Sequence, residues 1–132
     1  MENLIVKTKK TKEVVDITDI VNGKLAVVKD GICHLFLKHT TAALMTADLD
    51  PGGTVEDYLE AFEKLLPKIN YRHPHDPGHM PDHILSSLIG ASLVLPARSG
   101  KLVLGTWQRV VLIEFDGPRE REIVISVISS AA

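Results

Sequence analysis

The stretch "SLVLPARSGKLVLGTWQRVVLIEFDGPREREIVISVIS", Ser92 to Ser129, decides the fold class. Its Val, Ile and Leu runs are interrupted by turn chemistry at Ala97–Lys101 ("ARSGK") and Phe115–Arg119 ("FDGPR"), so it reads as strands joined by turns. The last two strands are expected to pair as an antiparallel hairpin around "FDGPR". Strand alternation places Gln108, Val110, Leu112 and Glu114 on one face, an amide and a carboxylate in an otherwise apolar row. Such a carboxylate either reaches the sheet rim or needs a cation. Trp107 reads as a core-packing ring.

Outward from this stretch lies "YRHPHDPGHMPDHILSSLIG", Tyr71 to Gly90, which holds four of the six histidines within eleven residues. A helix is expected from about Pro81 to Ile89, because proline lacks the N–H that a first turn leaves unpaired and Gly90 suits the exit. His83 falls in its first turn. Before it, "TVEDYLEAFEKLLP" is the clearest helix: Val55, Tyr58, Leu59, Phe62, Leu65 and Leu66 follow the i, i+3, i+4, i+7 pattern, with Thr54 as cap and Pro67 as stop. In "ICHLFLKHTTAALMTA", strand geometry aligns Cys33, Leu35, Leu37 and His39, so His39 ends an inward apolar row. The opening "NLIVKTKKTKEVVDI" gives one or two short strands. Asp16 then caps a helix carrying Ile17, Ile20, Val21, Leu25 and Val28. Strands, then helices, then strands define an α+β class: a mostly antiparallel sandwich or jelly-roll-like body with two to three helices.

At 132 residues the chain is one domain, residues 1–132, with ordinary globular composition. Fifteen basic and seventeen acidic residues leave a formal charge of −2, which gives no global case for nucleic acid or an anionic membrane. The apolar runs are strand-sized, too short to span a bilayer. The single cysteine, Cys33, and the absence of a charged segment followed by an apolar one at the start point to a reducing, cytoplasmic setting.

His39 at a strand end, His73 in a loop and His83 at a helix start can converge from three elements, with His75 and His79 flanking them. Imidazole is a common transition-metal ligand, so His39, His73 and His83 are the candidate ligands of a divalent ion of the zinc or magnesium class. No H-E-x-x-H and no cysteine pair names a structural zinc centre. The helix dipole favours neutral His83, and the same helix start accepts a phosphate, so a small phosphorylated ligand is expected. Thr40 and Thr41 beside His39 could hold that phosphate or position a water. Asp48 and Asp50 fit turn chemistry, or alternatively a metal–pyrophosphate role. His34 and His75 read as solvated or locally hydrogen-bonded.

Together "HTTAAL", "YRH", "MPDHILSSLIG", "LVLPARSGKLVLGTWQ" and "EFDGPRER" resemble the YjbQ-like family, also called the secondary thiamine-phosphate synthase family, from about Cys33 to the C-terminus. The resemblance implies a small α+β homotrimer with a site built on His39, His73 and His83, Gln108 in substrate binding and Glu114 as its acidic residue. The chain departs from it at His79, where many members have Asn, and at Ala47-Asp48, where they have Asn-Glu. The implied activity is weak thiamine-phosphate synthase chemistry, a pyrimidine-methyl pyrophosphate joining a thiazole phosphate. The alternatives are a metal-dependent hydrolase with Glu114 as general base, and a non-catalytic trimeric ligand-binding module.

Overall fold

The computed structural model describes residues 1–130. In order, the elements are β1 (Glu2–Lys7), β2 (Glu13–Asp16), α1 (Thr18–Lys24), β3 (Asp30–Leu37), β4 (Ala42–Ala47) and α2 (Thr54–Leu65). A 3₁₀ turn (Pro77–His79), α3 (Met80–Ile89), β5 (Ser92–Arg98), β6 (Lys101–Leu102), β7 (Arg109–Glu114) and β8 (Glu120–Ser129) follow. The strands form two antiparallel sheets, β1-β8-β3-β5-β6 and β2-β7-β4, which with the helices make the α+β architecture expected from the sequence. No helix among the described residues is long and apolar enough to cross a membrane.

The main core lies between the sheets. Leu4, Val6, Cys33, Leu35, Leu37, Ile123 and Ile125 of the larger sheet meet Leu44, Val110 and Leu112 of the smaller one, all buried, in the period-2 rows that strands impose. A second cluster, Ala43, Leu85, Ile113 and Phe115, joins the other face of the small sheet to α2 and α3. β7 is therefore covered on both sides, and every residue from Val110 to Phe115 is buried.

That double burial corrects the expected hairpin. β7 pairs with β2 and β4, whereas β8 pairs with β1 and β3, so "FDGPR" crosses from one sheet to the other instead of folding two neighbours together. A strand apolar on both faces shows no alternation to reveal its neighbours. At the crossover a Cβ on Gly117 would lie 2.2 Å from the Lys10 carbonyl oxygen and 2.9 Å from both the Glu114 side chain and the Thr8 hydroxyl, so only glycine lets the chain pass there.

Several local expectations also shift. The cap of α2 is Gly53, left-handed at φ 117°, and Thr54 is the first helical residue. Leu65 is 56% exposed, and α2 half-buries its apolar face without burying any residue fully. Asp16 ends β2, yet its carboxylate still accepts the Thr18 N–H and hydroxyl at the start of α1, which stops before Val28 and leaves Ile20 exposed. Trp107 is 66% exposed in the loop before β7, not in the core.

The inward row of β8, Ile125 and Ile123, ends in Arg121, and that of β7 ends in Glu114; both are essentially inaccessible. Arg121 Nε donates to Glu114 Oε2 at 2.7 Å and its Nη2 to Glu114 Oε1, while the Thr8 hydroxyl and the Asp116 N–H donate at 2.8 and 3.0 Å. Arg121 Nη2 also donates to the Thr41 hydroxyl at 2.8 Å. Removing one partner strands a buried charge, so Arg121→Met will lower unfolding free energy by roughly 3–5 kcal/mol, and the double change Glu114→Met with Arg121→Met will recover most of that loss. Urea unfolding of the three proteins measures both effects.

Candidate functional site

Cys33, Leu35 and Leu37 carry the buried row of β3 to the rim of the sheet, and His39 follows there, half-buried. Its Nε2 accepts the backbone N–H of Glu122 at 2.9 Å. The ring proton therefore sits on Nδ1, leaving His39 a donor toward any ligand. Burial pushes its pKa down and the charge of Arg121 adds to that, only partly offset by Glu114 and Glu122, so His39 is neutral at pH 7.

His83 reaches the same place from the first turn of α3. Its Nδ1 lies 3.0 Å from the Thr40 carbonyl oxygen. A carbonyl only accepts, so Nδ1 carries a proton, and in the neutral ring Nε2 keeps its lone pair. The two imidazoles thus play opposite parts, one offering N–H and the other an acceptor. His73 packs edge-on to His83 with ring centroids 4.7 Å apart.

His39, His83, Thr40 and Thr41 line one pocket of about 690 Å³, together with His79, Asp116, Arg119 and Arg121. Arg119 is held by Asp116, through Nε to the backbone oxygen at 2.8 Å and Nη2 to Oδ2 at 3.0 Å, which leaves further guanidinium N–H groups free. His79 Nε2 stands 3.3 Å from Asp76 and 3.8 Å from Asp116. Glu114 lies beneath this wall. Burial would raise its carboxyl, but the bonds from Arg121, Asp116 and Thr8 and the guanidinium charge hold it below the usual carboxylate value. Its oxygens are engaged by those donors.

The expected three-histidine ligand set is not assembled in one chain. Among the described residues no group of three or more His, Cys, Asp or Glu side chains is placed to hold a metal ion. The reason is visible in the bonding: the His39 Nε2 lone pair goes to a backbone amide, and His73 touches His83 without joining the pocket wall. Gln108 lies in the loop before β7, where Oε1 accepts the Gly105 N–H at 2.8 Å, apart from this pocket. Asp48 accepts the Asp50 N–H in a turn, and both line a different hollow of about 190 Å³ with Asp16, Trp107 and Arg109. His75 is exposed, and His34 contacts Ser92 at 3.1 Å on the outer sheet face. Burial pushes the Cys33 thiol up to about 11, which makes it a poor nucleophile.

Arg119, Asp116 and Arg121 were not among the expected site residues. Arg121 carried a readable signal, since it ends the Ile125–Ile123 row as Glu114 ends that of β7. Arg119 and Asp116 carried none, because they act from a turn whose course depends on which sheet follows it.

Two antiparallel sheets with α2 and α3 on the outer face of the smaller one, and an imidazole- and guanidinium-lined pocket at the rim, define a class of small α+β proteins. The chain belongs to the UPF0047 YjbQ-like family, whose profile matches residues 2–130. It is 40% identical over 126 residues to a UPF0047 protein of Archaeoglobus fulgidus, covering 95% of this chain and 98% of that one. It is 43% identical over 112 residues to the UPF0047 protein YjbQ of Salmonella typhimurium, covering 80% and 79%. A crystal structure of a YbjQ-like protein of unknown function from Sulfolobus solfataricus superposes with a TM-score of 0.89 at 35% identity, covering 98% of this chain and 96% of that one.

Nitrogen-15 NMR at neutral pH will find both His39 and His83 as Nδ1–H tautomers, and His39 will titrate below the ordinary imidazole value of 6.5. An Nε2–H signal for His83 would remove its role as an acceptor.

Proposed function

We propose that the pocket binds a small phosphorylated molecule and supports weak transferase chemistry of the thiamine-phosphate synthase type. In that reaction the ring nitrogen of a thiazole phosphate attacks the methylene carbon of a pyrimidine-methyl pyrophosphate. A C–N bond forms, the C–O bond breaks, and pyrophosphate leaves with the electron pair. The attacking nitrogen has no proton to lose, so the reaction asks for orientation and for donors at the leaving group more than for a base. The observation that carries this reading is the group of donors, His39 Nδ1–H, the Thr40 and Thr41 hydroxyls and Arg119, that face one pocket, with His83 Nε2 as an acceptor for a ligand O–H.

His39 Nδ1–H, the hydroxyls of Thr40 and Thr41 and the free N–H groups of Arg119 donate to phosphate oxygens. Glu114 holds Arg121, and through it Thr41, in place. A magnesium-class ion bound to the ligand's own phosphates would neutralise their charge, a role better matched to these donors than a zinc-type ion on His39, His73 and His83. Hydrolysis of a phosphate ester is the second reading. It is favoured by the His83 Nε2 lone pair, which can take a proton from water; the buried Glu114, committed to Arg121, leaves that task to His83. A binding module without turnover would use the same donors.

The protein acts as a homotrimer in this reading, in the reducing cytoplasm to which its single buried cysteine is suited. Exposed Trp107 supports self-association, with Gln108 meeting ligand only across a subunit boundary. Light scattering at micromolar concentration will give three times the 14.5 kDa chain mass; a monomer mass removes the assembly.

Calorimetric titration with thiazole phosphate and with pyrophosphate tests the site. His83→Ala will weaken association more than tenfold, about 1.4 kcal/mol, whereas His75→Ala will leave both affinities unchanged. Thermal melts of both variants will stay near wild type, since neither side chain is buried. Wild-type affinity in His83→Ala would remove His83 from the site. Product assays separate transfer from hydrolysis, and tight binding without turnover selects the module.

A further inference from the structure

The wall made by Lys38, His39 and Thr40 has two sides. One faces the imidazole pocket; the other faces a separate cavity of about 650 Å³ bounded by Phe36, Ser86, Ser87, Gly90 and Ala91. We propose that this second cavity receives the flat heteroaromatic ring of the phosphate ester whose phosphate lies in the imidazole pocket, with His39 at the junction. The proposal rests on the anion reading of the first pocket and assigns the rest of the ligand.

The two cavities differ in chemistry as two halves of such a ligand would require. The first is walled by Lys38, Asp116, Arg119, Glu120 and Arg121, whereas among the described residues Lys38 is the only charged one around the second. A neutral ring loses little hydration on entering the second, and a phosphate would find few partners there. Phe36, the outward residue of β3 next to Leu37, is 44% exposed and offers a ring face for stacking. The Ser86 hydroxyl is spent on the Asp82 carbonyl at 2.8 Å, so exposed Ser87 supplies the hydroxyl that can meet a ring nitrogen.

The cavity is also firmly framed. Leu37 N–H donates to the Ala91 oxygen at 2.7 Å and Leu44 N–H to the Gly90 oxygen at 3.0 Å, tying the exit of α3 to β3 and β4. At Gly90 a Cβ would meet nothing within 4 Å, so bare backbone and open space form that part of the boundary. Adjacency to the first pocket makes the occupant the remainder of the same ligand, because the shared wall is only three residues wide and contains the ligand-facing imidazole.

Three probes separate the halves: inorganic phosphate, the phosphate-free hydroxyethyl-methylthiazole, and thiazole phosphate, each titrated by NMR into wild type, Phe36→Ala and Ser87→Leu. Both substitutions lie at accessible positions, and Ser87→Leu places bulk in the cavity. Wild type is expected to bind the ester at least tenfold tighter than inorganic phosphate. Each variant is expected to lose about tenfold for the ester and the ring alcohol while phosphate affinity stays within twofold. Ester affinity unchanged in both variants, or equal weakening of all three probes, overturns the proposal. Wild type that binds the ring alcohol but not phosphate, with the alcohol lost in both variants, keeps the ring cavity and removes the anion reading. Failure of the ring alcohol to shift any residue of the cavity at millimolar concentration removes the ring cavity whatever phosphate does.

Discussion

The Arg121–Glu114 ion pair is the contact on which the rest of the molecule depends. It joins the end of β8 in the large sheet to the end of β7 in the small one, at the place where the apolar core runs out. A buried pair of this kind costs desolvation that its attraction need not repay, so its value lies in specifying which strand ends meet. Every neighbouring feature conforms to it. Thr8 and the Asp116 N–H complete the carboxylate, Thr41 completes the guanidinium, and Gly117 supplies a backbone without a side chain where the chain must pass over them.

The same pair forms the floor of the candidate site. Arg121 reaches the pocket wall, fixes Thr41, and helps hold His39 in its neutral form. Thr40, next in the chain to Thr41, presents the carbonyl that sets the His83 tautomer. The crossover that leaves Glu114 carries Asp116 and Arg119 to the opposite wall. Strand ends, one short turn and the first turn of a helix thus supply donors and an acceptor without any dedicated binding loop. Residues placed by backbone pairing lose little freedom when a ligand arrives.

How far the sequence revealed this follows from where period-2 patterning survives. The row Cys33, Leu35, Leu37, His39 was legible and placed His39 correctly at a rim, and the proline and glycine around α3 placed His83 in its first turn. The α+β class followed from the order of strand-like and helix-like segments. Strand partners did not: β7 is apolar on both faces, so nothing local told β8 to pair with β3 and not with β7. Trp107 was misplaced because an aromatic ring in a loop and one in a core look alike in sequence. The histidine cluster suggested a metal because proximity along the chain is readable and the direction of a lone pair is not. The nitrogen of His39 that would ligate is bonded to the Glu122 amide, a partner 83 residues away.

Protonation links the fold to the site. Glu114 is held below its ordinary value of 4.5, so its contribution to stability is complete above that pH and is lost as pH falls through the lower folded value. His39 is likewise depressed from 6.5, which means the folded state resists its protonation; its contribution is also complete above 6.5 and fades as pH falls through its folded value. The two losses begin in order, that of His39 below 6.5 and that of Glu114 below 4.5. Acid that charges His39 does so against its burial and the nearby guanidinium. A cationic His39 would keep Nδ1–H as a donor and gain attraction for phosphate, but its second proton cannot share Nε2 with the Glu122 N–H. Charging the ring thus breaks the bond that orients it, and the gain in electrostatic attraction is set against loss of position. Orientation and charge in this pocket oppose each other, which is why the neutral ring, fixed by a backbone amide and backed by a paired arginine, is the form that the fold selects.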